Sequence, residues 1–176
     1  MPSPGKLTGY ALLYNVLSAD RGGYRARFAP GSIKYPEDGD VRALYGHSEL
    51  ALLGRVSSGT LQLQDDGTGI KFALDLPDTT VGRDVAELVR RKDIVGCSFG
   101  IWSITKSSWV VEDDIEIQDY GQCVMDEITI TGNPSFPQSS VRLIEPDQPD
   151  PGTPSTTPRR NMAALALADI ELQAVA

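Results

Sequence analysis

The chain carries a single histidine, His47, and fifty-one residues later a serine in the frame Gly96-Cys97-Ser98-Phe99-Gly100. Serine at its ordinary pKa is a poor nucleophile, so a base must take its proton as it attacks, and imidazole is the usual base near neutral pH. In this sequence only His47 can do that. Spacing alone does not single the pair out, since most lone histidines sit on surfaces or caps and most strand serines are structural. Two features raise Ser98 above the other serines. Residues two apart on a strand share a face, so Gly96 and Gly100 leave space beside Ser98, and bulk returns on that face only at Trp102. The opposite face carries Cys97, Phe99 and Ile101, an apolar row suited to a core. The same alternation buries Cys97. A Cys97/His47 dyad is therefore the weaker alternative, although cysteine is intrinsically the better nucleophile.

A third member would be a carboxylate that fixes the imidazole tautomer and stabilises its charged form. In Met125-Asp126-Glu127-Ile128-Thr129-Ile130-Thr131, alternation groups Asp126 with Ile128 and Ile130, and Glu127 with Thr129 and Thr131. Either carboxylate fits on spacing alone. A glutamate in a core strand needs a partner, because an unpaired buried charge is costly.

Other chemistries lack their residues. One His and two Cys, Cys97 and Cys123, make no convincing zinc ligand set. The acidic pairs Asp65-Asp66, Asp113-Asp114 and Asp126-Glu127 do not have the spacing of a calcium loop. No Gly-rich phosphate loop of the P-loop or dinucleotide type occurs. No cofactor or metal is expected. A formal net charge of −8 argues against a nucleic-acid partner. Arg83, Arg90, Arg91 and Lys92 cluster near a probable helix, but acidic neighbours dilute them into a solvated face. Two cysteines are too few for a disulfide framework, which favours a reducing compartment. The N-terminal residues lack a secretory apolar stretch, and no apolar run approaches the ~20 residues that span a bilayer. These features predict a soluble, intracellular protein without a membrane partner.

The elements that must position these side chains are mostly strands. Apolar and aromatic residues fill Leu7 to Leu17, and Asp20-Arg21-Gly22-Gly23 marks a turn before a strand at Tyr24 to Phe28. Val41 to Tyr45 reads as a short strand ending at Gly46-His47. Leu61-x-Leu63 and Ile70-x-Phe72-x-Leu74-x-Leu76 alternate on either side of Asp65-Asp66-Gly67-Thr68-Gly69, a strong hairpin signal. Thr79 or Thr80 caps one helix, with Val81, Val85, Leu88 and Val89 at helical spacing and Arg90, Arg91 and Lys92 in its last turn. Ile94 to Ile104 and Cys123 to Thr131 read as strands. The sum is a mostly β fold with one or two helices, a barrel or sandwich. Composition changes after Ile144: five of the thirteen residues from Pro146 to Pro158 are proline. The expected organisation is a body over residues 1–145, an extended Pro/Ser/Thr-rich linker over 146–160, and an Ala/Leu-rich tail over 161–176, helical or removed.

Taken in order from residue 7 to 143, the motifs resemble the prohead (capsid maturation) proteases of tailed bacteriophages, whose fold is similar to that of the herpesvirus assemblins. Thr8-Gly9-Tyr10-Ala11 resembles the family's opening Gly-aromatic-Ala strand, and Phe28-Ala29-Pro30-Gly31-Ser32 its aromatic-x-x-Gly-small step. Ala43-Leu44-Tyr45-Gly46-His47-Ser48 is similar to the histidine motif, and Leu53-Gly54-Arg55-Val56 to the glycine soon after it. Asp66-Gly67-Thr68-Gly69-Ile70-Lys71-Phe72 resembles the Gly-Leu-x-aromatic hairpin, and Gly96-Cys97-Ser98-Phe99-Gly100 the Ser-Phe-Gly motif. Asp126 to Thr131 resembles the Glu-Val-Ser-Leu-Val stretch, followed by Asn133-Pro134-Ser135-Phe136-Pro137. Two departures stand out: Ile-Thr replaces Val-Ser after Glu127, and Asn133-Pro134-Ser135 replaces a commoner Pro-Ala.

The resemblance implies a small antiparallel β-barrel with Ser98 as nucleophile, His47 as general base and Glu127 as orienting acid. It implies a serine endopeptidase without a cofactor, which cuts scaffolding segments, the capsid protein precursor and itself, with the proline-rich linker as an accessible site. The implied location is the interior of the procapsid, assembled in the host bacterial cytoplasm, and the partners are those protein substrates, with room for a homo-oligomer. The competing expectation is a non-enzymatic assembly module, a barrel whose linker and tail dock a scaffold or shell protein.

Overall fold

The computed structural model describes residues 4–146. The linker beyond Pro146 and the 161–176 tail lie outside the described residues. In chain order the elements are β1 (Lys6–Leu13), β2 (Tyr24–Phe28), β3 (Ile33–Lys34), β4 (Arg42–Tyr45), β5 (Ser48–Arg55), β6 (Leu61–Asp65), β7 (Gly69–Asp75), α1 (Thr80–Arg90), β8 (Gly96–Glu112), β9 (Ile115–Thr131) and β10 (Ser140–Ile144). Among the described residues the fold is mostly β with one helix, and that helix is not long and apolar enough to cross a membrane.

Local chemistry sets the turns. Between β6 and β7, Asp65 accepts the Gly67 N–H at 3.0 Å and Asp66 accepts the Thr68 and Gly69 N–H groups at 2.9 and 3.2 Å. Gly67 supplies the positive φ, +79°, that the reversal requires. Thr79 caps α1 by accepting the Gly82 N–H at 3.1 Å. Val85 and Val89 bury the inner face of that helix, which packs against β10.

The strands form two sheets over a common core. One runs β10-β1-β7-β6, antiparallel throughout. The other is built around β9 and is mixed. β8 pairs antiparallel with β9 from Gly96↔Thr131 to Glu112↔Ile115. On the opposite edge of β9, three short strands follow one another in parallel: β2 against Glu116 to Tyr120, β3 against Cys123 and Val124, and β4 against Glu127 to Ile130. β5 then extends the sheet from β4. The expectation of a small antiparallel β-barrel is corrected in strand direction by these parallel pairs, and among the described residues no ladder closes the two sheets into a barrel. The reason is the length of β9, which is long enough to take three short strands end to end while β8 occupies its other side. Leu7, Leu12, Phe28, Phe72, Met125 and Ile128 are fully or almost fully buried between the sheets. The β8–β9 hairpin extends beyond that core and turns through Asp113 and Asp114, both at positive φ, the backbone of a two-residue type I′ connection.

Candidate active site

His47 sits at a tight turn. Tyr45 pairs with Ser48 across β4 and β5, leaving Gly46 and His47 as the two connecting residues. Their φ values are +60° and +59°, the left-handed pair a type I′ hairpin demands. For a residue with a Cβ this conformation costs about 1–3 kcal/mol and persists only when its surroundings impose it. Here they do. The Gly46 N–H donates to the Ile130 carbonyl at 3.1 Å. The His47 N–H donates to Thr129 Oγ1 at 2.8 Å, and the Thr129 hydroxyl donates in turn to the Leu44 carbonyl at 3.3 Å. Thr129 is fully buried on β9, so one hydroxyl ties both sides of the turn to the sheet.

The turn aims the ring at the neighbouring row. His47 Nδ1 lies 2.5 Å from Glu127 Oε1, and this is the carboxylate's one hydrogen bond among the described residues. When Nδ1 of a neutral imidazole donates to this carboxylate oxygen, the Nε2 lone pair is left free to accept a hydrogen. Glu127 is buried on β9, opposite Gly100 of β8. A Cβ on Gly100 would come within 2.7 Å of Glu127 Cγ and 2.8 Å of Oε1. The glycine therefore clears the path by which the glutamate crosses to the histidine. Asp126, one residue earlier, goes elsewhere: Arg42 donates to it at 3.0 Å and to Glu49 at 2.5 Å. Simple alternation would group Asp126 with the buried Ile128 and Ile130. The ladder shifts register between Gly100 and Ile101, and this irregularity puts Asp126 beside Arg42 instead.

Ser98 stands directly opposite Thr129 in the β8–β9 ladder, in the row shared with Glu127. Ser98 and His47 line one cavity of about 340 Å³. The serine is 6% exposed, while the His47 side chain is half-exposed. Among the described residues no hydrogen bond joins the Ser98 hydroxyl to the imidazole, a contact that commonly tightens only when substrate is bound. A model of the caudovirus prohead serine protease family matches residues 3–149. The chain belongs to that family. Neither the curated proteins nor the solved structures give a significant match.

This caudovirus prohead protease is accordingly a serine protease of capsid maturation, working on capsid protein within the phage procapsid. Its cysteines stand apart from the cavity. Cys97 is fully buried, burial pushes its thiol far up, and Sγ donates to the Ser98 carbonyl at 3.4 Å. Its burial, and its absence from the lining of the cavity that holds Ser98 and His47, count against the Cys97/His47 dyad. Burial likewise pushes Cys123 up to about 11.

The glycines beside Ser98 need a different explanation from open space. A Cβ at Gly96 would lie 2.5 Å from the Pro134 ring, and the room at Gly100 is taken by Glu127. Small residues were legible, but not what fills the volume they leave. Sequence reasoning also missed Thr129 as the anchor of the histidine turn. Its one trace was a hydroxyl two residues from Glu127, on the same face of the strand.

Proposed function

We propose that this prohead protease cuts its substrates with Ser98 as nucleophile, His47 as general base and Glu127 as the acid that orients the ring. Ser98 Oγ attacks the carbonyl carbon of a peptide bond while its proton passes to His47 Nε2, and the carbonyl π pair moves onto oxygen. The tetrahedral intermediate collapses, the C–N bond breaks, and the leaving amine takes the proton from Nε2. Water then attacks the acyl-enzyme through the same base and releases Ser98. Throughout, Glu127 holds the Nδ1–H.

The observation that carries the reading is the 2.5 Å contact between His47 Nδ1 and Glu127 Oε1, because it turns the free lone pair away from the carboxylate. The substrates on this reading are scaffolding segments and the capsid precursor, together with the chain's own Pro/Ser/Thr-rich linker, cut inside the procapsid as it assembles in the host cytoplasm.

Co-expression of the protein with a capsid precursor tests the assignment. Ser98→Ala and His47→Ala should each fold and lose about 10⁴–10⁶ of the cleavage rate, as members of one catalytic unit do. Near-normal processing by either variant refutes it. Stable co-purification with an uncut shell protein, together with unchanged assembly by the variants, is the result a non-enzymatic assembly module would give.

A further inference from the structure

The cavity shared by Ser98 and His47 is walled by packed rings. Phe28 stacks on Tyr120 at 4.6 Å and meets Phe99 edge-on at 5.3 Å, and Phe99 lies 5.8 Å from Phe136. Among the described residues no carboxylate lines this space, and one permanent charge does: Arg21. Arg21 lies in the exposed connection from β1 to β2, where its N–H donates to the Tyr24 carbonyl at 2.8 Å. Its sequence neighbour Asp20 is engaged elsewhere, accepting the Gly22 and Gly23 N–H groups at 2.9 and 3.2 Å. Arg27, Arg42, Arg55, Arg83, Arg90 and Arg91 each meet a carboxylate. Among the described residues Arg21, Arg25 and Arg142 meet none, and of these three Arg21 alone lines the cavity. Its charge nevertheless reaches the cavity wall, since burial pushes the Tyr120 phenol up and Arg21 works against that shift.

We propose that Arg21 is a specificity-determining residue, selecting polypeptide segments that carry an Asp or Glu beside the scissile bond. This rests on Ser98 and His47 being the cleaving pair. A guanidinium presents a planar fork that takes a carboxylate with two hydrogen bonds, and the ring wall offers an apolar surface for the methylene stem of the same side chain. The protein as a whole carries a formal charge of −8, which repels acidic chains at a distance. That repulsion is screened beyond about 8 Å at physiological salt, so an acidic preference must be made by local contact. The chain's own stretch Asp147-Gln148-Pro149-Asp150 has the required chemistry.

The test digests a mixed peptide library with the purified full chain and with Arg21→Ala, Arg21→Glu and Ser98→Ala, reading cut sites by mass spectrometry. The native protein should favour Asp and Glu at one position next to the cut. Arg21→Ala should flatten that preference. Arg21→Glu should shift the ratio of Glu- to Lys-containing products by about tenfold towards Lys, because an attraction becomes a repulsion. An acidic preference unchanged in Arg21→Glu, or native cleavage without any charge preference, overturns the role of Arg21 while leaving the cleaving pair intact. Equal cutting by Ser98→Ala would instead remove the pair, and this inference with it.

Discussion

The two ends of the β8–β9 hairpin are made from the same pair of strands and behave as different materials. At the base, Gly96 to Gly100 faces Glu127 to Thr131, β4 closes the far edge of β9, and Cys97, Ser98, Glu127 and Thr129 are all buried. At the tip the register continues from Ser107↔Tyr120 to Glu112↔Ile115, but Trp109 is 55% and Val111 68% exposed. Between the two lie four register shifts, at Gly100/Ile101, Ile101/Ser103, Ile104/Lys106 and Lys106/Ser107, irregularities of the kind that re-aim side chains near functional sites. Regular pairing alone thus does not make a site. The second edge of β9 is paired at both ends, by β4 at the base and by β2 at the tip; what distinguishes the base is the burial of its side chains on both faces.

The sharpest break in this comparison comes from the two adjacent carboxylates. Glu127→Gln should leave the fold intact and slow cleavage by about 10⁴, because an amide can stabilise the wrong imidazole tautomer. Asp126→Asn, which loosens only the Arg42 contact, should stay within about tenfold of the native rate. As the chain has one histidine, a nitrogen NMR spectrum reports its tautomer without overlap, and the Nδ1–H signal should change in the Gln variant alone. Next in size, Gly100→Ala should lower turnover by about 10², the scale expected when a catalytic group moves by about 1 Å, since its Cβ occupies the path of Glu127.

Thr129→Val removes the hydroxyl that serves His47 and Leu44. It should cost about 1–3 kcal/mol in denaturant unfolding and reduce turnover, with Thr129→Ser restoring both. Smallest of all, Trp109→Ala at the tip loses an edge contact with Tyr24 at 5.2 Å. Stability should fall by about 0.5–1.5 kcal/mol and the cleavage rate should not change. A large loss of activity at Trp109, or none at Gly100, would dissolve the distinction between base and tip.

The same distinction governed what could be read from the sequence. The base was legible because Gly96-Cys97-Ser98-Phe99-Gly100 alternates small and apolar residues, and β2, the β6–β7 hairpin and the Thr79 cap carry equally plain local signals. The tip was not. Both strands run well past the expected spans of Ile94 to Ile104 and Cys123 to Thr131, to Glu112 and back from Ile115, through a polar stretch whose exposed outer half imposes no alternation. β5 escaped for a related reason, since Leu50 is 97% exposed and Leu53 buried, an irregular pattern along an edge strand. The parallel pairing of β2, β3 and β4 with β9 depends on contacts some 85 to 92 residues apart, which no local pattern encodes. Of the candidate site, the residue types were readable, but the face of Asp126 and the filling of the space beside Ser98 were not. The choice of Glu127 over Asp126 as the residue beside the ring depended on a ladder shift and on the volume left by Gly100.

The most direct measurement treats the full-length protein with a fluorophosphonate and locates the adduct by peptide mass mapping. The account predicts one modification, on Ser98, abolished in His47→Ala while the fold persists. Labelling of a different residue, or undiminished labelling of Ser98 without the imidazole, would contradict it.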